Sequence, residues 1–591
     1  MPTGGLCAGA FCSWCVSMSI IHNISVRSGR LVKLTFESAP FTRAARKTAG
    51  TARQARSRIV TLATVLGIVY VGMFGKLIYY GVAVDTTTSS IPPNPIMASR
   101  PDILDRNGEL LATDIRTVSM FAEPSHMVDV DEAVEKLTQL FPELDRKTLY
   151  QKLSDKRSQF TWLRRQLTPK QQNEVLALGL PAIGFRPEVK RFYPGGRTAA
   201  HILGYVDIDN KGMAGMEKYL DLQGLSDLES TGLAVRENLE PVKLSIDIRA
   251  QNVVHDVVTD AITTYKGKAA GAVILDVHTG EVLAMASAPD FDPNDPQATG
   301  SEGWLNRMSN GTFEMGSTFK TFSMALALDS GTVKLSDSFD ATGPLHYGGF
   351  TIHDDHDVPR RWLTIPEIFR YSSNIGTARM MDLVGMDRQK DYLTRFGLLS
   401  RMQTELPEVK TPTQPKVWKK INSITISFGH GVATTPLQTA VAGAALVDGG
   451  ELIEPTFLPR SAEEAAKTEQ QIVKKSTSDT IRYLFKLNGE QGSGRTADVP
   501  GFHVGGKTGT ANKVVNGHYS HTLSFNAYLA AFPIDAPKYV VLSFIDEPLT
   551  GQHGLTFATN TAAPMVHDII SRVAPILGVE PDFGQNLLAS Y

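Results

Sequence analysis

With 591 residues the chain is too long for one hydrophobic core, so about two or three domains are expected. Its 42% apolar and 20% charged residues fit a globular protein, and a net charge of -2 excludes a general nucleic-acid binder, which carries a basic excess. The 3 cysteines, Cys7, Cys12 and Cys15, all precede residue 16, so the body of the chain has no disulfide, thiolate nucleophile or cysteine metal site; an oxidising compartment is permitted but not required.

Residues 1–26 contain no Lys or Arg and receive no assignment. Residues 27–58 carry Arg27, Arg30, Lys33, Arg43, Arg46, Lys47, Arg53, Arg56 and Arg58 against a single acid, Glu37. Residues 59–84 then hold one charge, Lys76, and are long enough to cross a bilayer as a helix. Basic flanks stay cytoplasmic, so 1–58 is predicted inside, 59–84 as an uncleaved single-pass anchor of the inner membrane, and everything beyond as exported to the periplasm. Asp85–Ser99 reads as a polar linker.

Ile103-Leu104, a turn at Asn107-Gly108 and Glu109–Ala112 read as strand, turn and strand. Residues 130–180 read as helical, with Val134, Leu137 and Leu140 on one face. A second domain is expected from about residue 241. It has a strand at Leu244–Ile246 and a helix over Ala250–Tyr265. A hairpin joins Ala272–Asp276 to Glu281–Met285 through His278-Thr279-Gly280. Helices dominate 310–450, two strands follow at Ala527–Phe532 and Tyr539–Ile545, and Ala562–Val573 is the last helix. Strands at both ends with helices between predict an α+β fold: an antiparallel sheet with a helical subdomain.

The candidate chemistry begins at Gly316-Ser317-Thr318-Phe319-Lys320, before the apolar run Phe322–Leu328. Ser317 near a helix start, with Lys320 three residues on, can serve as nucleophile and base if burial or charge lowers the lysine pKa. Helix N–H groups can hold an oxyanion. The same spacing also fits a helix cap beside a solvated lysine, so alone it decides nothing. Two distant motifs add weight: Ser372-Ser373-Asn374, and Lys507-Thr508-Gly509-Thr510 at the head of a predicted strand. Ser372 can relay a proton to a leaving amine, and Asn374 can bond a substrate amide. Lys507, Thr508 and Thr510 can dock a carboxylate, Gly509 can admit substrate close to the backbone, and the Thr510 N–H can join that of Ser317 in an oxyanion hole. His353–Asp357 and Asp290–Asp295 fit no metal-ligand spacing and read as solvated loops. No metal or other cofactor is called for.

Ser-x-x-Lys, Ser-x-Asn and Lys-Thr-Gly occur together in penicillin-binding proteins and class A β-lactamases. On these motifs the chain resembles class B penicillin-binding proteins, in particular the division-specific FtsI type, the septal peptidoglycan D,D-transpeptidases. The likeness, over roughly 59–575, includes Asp105–Gly108, Arg191–Pro194, Gly215–Glu217, Phe428–Gly431 and Thr435–Gln438. Met315 stands where the family usually has Pro, and His430 where Tyr is common; packing is the favoured role for His430. The resemblance implies a non-catalytic pedestal of the dimerisation type over 85–240 and a transpeptidase domain over 241–591. It further implies a Ser317 acyl-enzyme with stem peptides ending in D-Ala–D-Ala, cross-linking at the septum, and acylation by β-lactams. A SEDS-type glycosyltransferase and other division proteins are the implied partners. Rival readings are a β-lactamase or β-lactam sensor of the same fold, an elongation-type enzyme, and an inactive scaffold. The long pedestal, Ser373-Asn374-Ile375-Gly376 and the intact motif set oppose them in turn.

Overall fold

The computed structural model describes residues 60–76, 100–225, 239–296, 301–347, 349–355, 357–549 and 556–583. Residues 1–89 and 90–591 are two separate units. In the first, helix α1 spans 60–76, with every residue exposed. The rest of the predicted anchor, its basic flank and the linker lie outside the described residues. Among the described residues no helix is long and apolar enough to cross a membrane.

The second unit opens with the predicted turn. The Asp105 carboxylate accepts the N–H groups of Asn107 and Glu109 at 2.7 and 2.8 Å. Gly108 takes a φ of 93°, a conformation that favours glycine. This joins β1 (Ile103–Leu104) to β2 (Leu110–Ala122) in antiparallel pairing. The expected helical stretch is not continuous: α2 (Val130–Leu140) and α3 (Arg146–Ser154) precede β3 (Thr161–Leu167), and α4 (Pro169–Ala177) follows. In β3 only Leu163 and Leu167 are buried, too few for a helix face, and the strand pairs with β2 instead. β4 (Ile183–Phe192) takes a second stretch of β2, and α5 follows at Gly215–Leu220. The predicted strand at Leu244–Ile246 is displaced: β5 is Val242–Lys243 and pairs in parallel with β1. A strand beyond the expected domain boundary thus extends the pedestal sheet. Leu244 and Ile246 are instead buried in a core shared by Ile103, Met216, Val273 and Phe322. The distal part has its own smaller core around Met120, Leu137 and Leu153.

A buried ionic lattice holds the base of this region. The Arg100 guanidinium donates to Glu217 at 2.7 Å and Arg191 donates to the other Glu217 oxygen at 2.6 Å. Arg191 also reaches Asp114 at 3.2 Å, and Arg100 pairs with Asp221 at 2.8 Å. Burial alone would raise the Glu217 carboxyl, but Arg191 and Arg100 outweigh it and hold the pKa below its ordinary value. Arg191 moves upward for the matching reason: Glu217 and Asp114 outweigh its burial.

The catalytic-domain sheet assembles from distant segments. Helix α6 (Ile248–Tyr265) is followed by β6 (Ala269–Asp276) and β7 (Val282–Ala288). After the helical block come β8 (Gly505–Val515), β9 (His518–Phe532) and β10 (Tyr539–Asp546). The order is β8-β9-β10-β6-β7, antiparallel throughout, with β8 at one edge. Alternation places Ala270, Ala272 and Ile274 against α6 and the last helix, Ala562–Val573, while Val273 and Leu275 face the helical block. Both faces are covered, which is why these strands read as continuous apolar runs.

Candidate active site

Ser317 sits on a tight turn rather than in the helix proper. Gly316–Phe319 is a 3-10 segment, and α7 (Lys320–Asp329) begins at Lys320. In 3-10 geometry residues i and i+3 eclipse, so Ser317 and Lys320 share one side. Close backbone approach fixes this turn. Gly316 has a φ of +53°, and an added Cβ would lie 2.6 Å from the Thr510 carbonyl oxygen of β8. An added Cβ at Gly429, in Phe428–Gly431, would overlap the Gly316 carbonyl, and one at Gly509 would overlap the Met315 carbonyl and lie 2.8 Å from Thr318 Cγ2. Gly509 therefore makes room for the nucleophile turn, a reason different from the substrate contact expected of it.

Lys320 is fully buried. Its ammonium donates to the Ser372 carbonyl, to Ser372 Oγ at 3.1 Å and to Asn374 Oδ1 at 2.7 Å. Burial pushes its pKa down to about 8, with Asp354 and Asp355 pulling the other way. Lys507, on β8, is also fully buried and donates to the same Ser372 Oγ at 3.1 Å. Burial first, and then the charge of Lys320, push the Lys507 pKa well below its ordinary value. Among the described residues, no carboxylate stands within ion-pair distance of either ammonium. Ser372 is thus a hydroxyl bridge between two lysines.

The chain is shaped to place that hydroxyl. Ser372 takes a left-handed conformation, φ 59° and ψ 38°, as it ends α8 (Ile365–Tyr371). Ser373 then caps α9 (Asn374–Val384), accepting the Gly376 N–H at 2.9 Å. Asp354 accepts from Ser373 Oγ at 2.6 Å, from the Ile375 N–H at 2.9 Å and from the Asn374 N–H. The loop read from sequence as solvated is therefore corrected at Asp354, whose carboxylate holds the Ser372-Ser373-Asn374 corner; His356 lies outside the described residues. Asn374 is engaged on both sides of its amide, by Lys320 and, through Nδ2, by the His353 carbonyl at 3.1 Å.

Along β8, Thr508 Oγ1 lies 2.5 Å from Ser493 Oγ, in the loop after α10 (Lys475–Gln491). Asn488 steadies both, donating to the Gly506 carbonyl at 2.8 Å and accepting the Ser493 N–H at 3.2 Å. Thr510 Oγ1 accepts the Ala558 N–H at 3.1 Å. The second presumed solvated loop is also anchored: Asp290 meets His255 at 2.7 Å and Arg197 at 2.9 Å, and Asn294 accepts the Tyr193 N–H at 3.0 Å. Among the described residues no group of His, Cys, Asp and Glu could hold a metal ion.

Comparison with known proteins adds to this geometry. The family model described as "Penicillin binding protein transpeptidase domain" matches residues 270–571, and "Penicillin-binding Protein dimerisation domain" matches 95–232. A probable peptidoglycan D,D-transpeptidase FtsI of Caulobacter vibrioides is 36% identical over 82% of each chain. The chain belongs to the penicillin-binding protein transpeptidase family. A probable peptidoglycan D,D-transpeptidase PenA of Neisseria gonorrhoeae is 33% identical over 86% of this chain and 91% of its own. The crystal structure of penicillin-binding protein 3 from Mycobacterium tuberculosis, complexed with aztreonam, shares the fold. Its TM-score is 0.62 at 24% identity, covering 82% of this chain and 97% of that one.

All eight residues picked from sequence as candidate catalytic or docking groups belong to this one region: Ser317, Lys320, Ser372, Asn374, Lys507, Thr508, Gly509 and Thr510. The sequence reading missed Asp354, Ser493 and Glu314. Glu314 receives the Gly431 N–H at 2.7 Å and faces His430 Nδ1 at 2.9 Å. His430 packs, as expected of it, with its ring edge-on to Phe428 and Tyr519 at centroid distances of 5.8 and 5.2 Å, and its Nδ1 contact with Glu314 adds a polar tie beside the nucleophile turn. A penicillin-binding transpeptidase motif gives no local signal for these residues, because each meets the site across a distant fold contact.

Proposed function

We propose that this chain is a division-specific peptidoglycan D,D-transpeptidase of class B, in which Ser317 is the nucleophile. The observation that carries the reading is the Ser372 hydroxyl, 3.1 Å from each of two buried lysines that have no carboxylate partner among the described residues. A buried lysine without a counter-ion loses its proton near neutral pH and becomes a base.

The chemistry follows from that arrangement. Neutral Lys320 takes the Ser317 proton as Oγ attacks the carbonyl of a D-Ala–D-Ala bond. Negative charge on the carbonyl oxygen is met by the N–H groups of Ser317 and Thr510. The carbon–nitrogen bond breaks, and Ser372 relays the proton to the departing D-Ala amine. Lys507, Thr508 and Thr510 dock its carboxylate. The amine of a second stem peptide then attacks the ester, the Oγ–carbon bond breaks, and the proton returns to Ser317. Asn374 acts by holding Lys320 and the substrate amide. A β-lactam enters the first step and leaves the serine acylated.

The cellular setting is part of the proposal. The low-charge segment 59–84 behind nine basic residues supports an inner-membrane anchor with the N-terminus inside and the catalytic domain in the periplasm. The pedestal of 85–240 and that anchor would receive a SEDS-type glycosyltransferase and other division proteins. Depletion is expected to give filaments; round cells would place the enzyme in elongation instead. Incubation with fluorescent penicillin, followed by peptide mapping, tests the core of the reading. A long-lived adduct on Ser317 that vanishes in Ser317→Ala is expected. Label released within seconds would mean a β-lactamase, and label persisting in the variant would exclude Ser317.

A further inference from the structure

We infer that the groove at the far end of α9 is a saccharide site, which holds the glycan strand of the peptidoglycan substrate on the Trp362 indole. The inference rests on the proposed peptidoglycan reading and deepens it by placing the sugar part of that substrate, away from the peptide chemistry at Ser317.

One helix face leads there from the catalytic corner. Asn374 opens α9 at the active site, and Ile375, Arg379, Asp382 and Leu383 then fall on a single stripe of the helix. Ile375 borders a cavity of about 360 Å³ beside Asp354 and Asp355. Arg379, Asp382 and Leu383 border a second cavity, of about 270 Å³. The opposite side of both is one stretch of chain: Gly343 and Pro344 line the first, Asp340 and Leu345 the second. A helix rises about 1.5 Å per residue, so Asp382 lies about 12 Å beyond Asn374. About three or four extended residues, at about 3.3 Å each, cover that distance. A peptide reacting at Ser317 can therefore keep its sugar end in the second cavity.

The chemistry of that cavity suits a sugar. A pyranose ring carries C–H groups on its faces and hydroxyls around its edge, so it takes an aromatic surface beneath it and hydrogen-bonding groups beside it. Trp362 is 60% exposed and Leu383 64% exposed, and both line the cavity with Tyr347. Asp340, Arg379 and Asp382 supply the polar edge. Arg379 is only loosely engaged. It stands 3.8 Å from Asp340, and among the described residues its buried Nε–H has no hydrogen-bond acceptor. Buried donors are normally satisfied, so this one points to an acceptor brought by a ligand. Lys420 holds Asp382 at 2.5 Å and lies 5.1 Å over the Tyr347 ring, which leaves Trp362 as the open aromatic face. Charged groups at the centre of the patch argue against a protein partner, whose contact core is depleted in charge.

The test titrates the full chain in detergent with a peptide-free tetrasaccharide of alternating N-acetylglucosamine and N-acetylmuramic acid, followed by calorimetry and saturation-transfer NMR. Saturable binding is expected. Trp362→Ala is expected to weaken it about tenfold, the order of one aromatic contact. Protein first acylated with penicillin should bind the tetrasaccharide as well as free protein does, because the groove is clear of Ser317. Absence of saturable binding in the wild type, equal binding by Trp362→Ala, or loss of binding on penicillin acylation overturns the inference. Should Trp362→Ala lose penicillin labelling, Arg379→Gln carries the same comparison. If penicillin does not acylate the wild type, the underlying acyl-transfer reading fails, while the tetrasaccharide titration still decides the saccharide site.

Discussion

Arg100 and Arg191 in the pedestal and Lys320 and Lys507 in the cleft all bury their charged groups completely, yet only the arginines lie against carboxylates. Glu217, Asp114 and Asp221 neutralise the pedestal pair and keep its members charged. The cleft lysines have hydroxyl, amide and carbonyl partners instead, and their pKa values fall. Matched buried charge holds structure in place, whereas unmatched buried charge titrates in the range where proton transfer is useful. The choice of side chain fits: guanidinium keeps its proton under almost any burial, and an amine gives it up.

Lys320→Met should break the catalytic half of this contrast. Penicillin acylation is expected to fall by about 10²–10⁴-fold, the usual loss with a general base. Stability in urea is expected to change by no more than about 1 kcal/mol, since buried ammonium cost and lost hydrogen bonds oppose each other. Stability should also respond to pH. Lys320 titrates near 8 in the fold against an ordinary 10.5. Between these values the unfolded chain holds a proton that the folded one has released. Stability therefore rises with pH across that window, and below about pH 8 the full cost of the buried charge is present. Lys320→Met should flatten that slope, with Lys507 supplying what remains; an unchanged slope would mean that Lys320 does not titrate there.

Glu217→Gln tests the other half. It strips one carboxylate from two buried guanidiniums and is expected to cost about 3–5 kcal/mol in chemical denaturation. The fraction that stays folded should acylate at the wild-type rate. A loss under 1 kcal/mol, by contrast, would mean that the pedestal lattice is not holding the fold. Asp354→Asn gives the smallest effect. The asparagine keeps the helix cap while removing a charge that raises the Lys320 pKa. The rising limb of the acylation profile should move to lower pH; movement to higher pH would contradict the electrostatic account.

The same division between local and distant contacts explains what could be read from sequence. The hairpin of β6 and β7 and the last helix, Ala562–Val573, are legible because periodicity and turn residues are local signals. Ser317, Lys320, Ser372, Asn374 and Lys507 are legible through three short motifs taken together. Asp354 was not, since a loop carboxylate looks solvated until the helix it caps is known. Glu314, His430 and Tyr519 converge from three separate segments, with no motif to announce the meeting. The helical reading of 130–180 rests on Val134, Leu137 and Leu140, at its start, and it fails at β3 because only pairing with the distant β2 makes that segment a strand.

The pH dependence of Ser317 acylation by a penicillin, followed from about pH 6 to 10, tests the central claim most directly. If unmatched burial makes Lys320 the base, the second-order rate climbs through an apparent pKa of about 8. A rate that is flat across this range, or that climbs only toward the ordinary lysine value of 10.5, would contradict it.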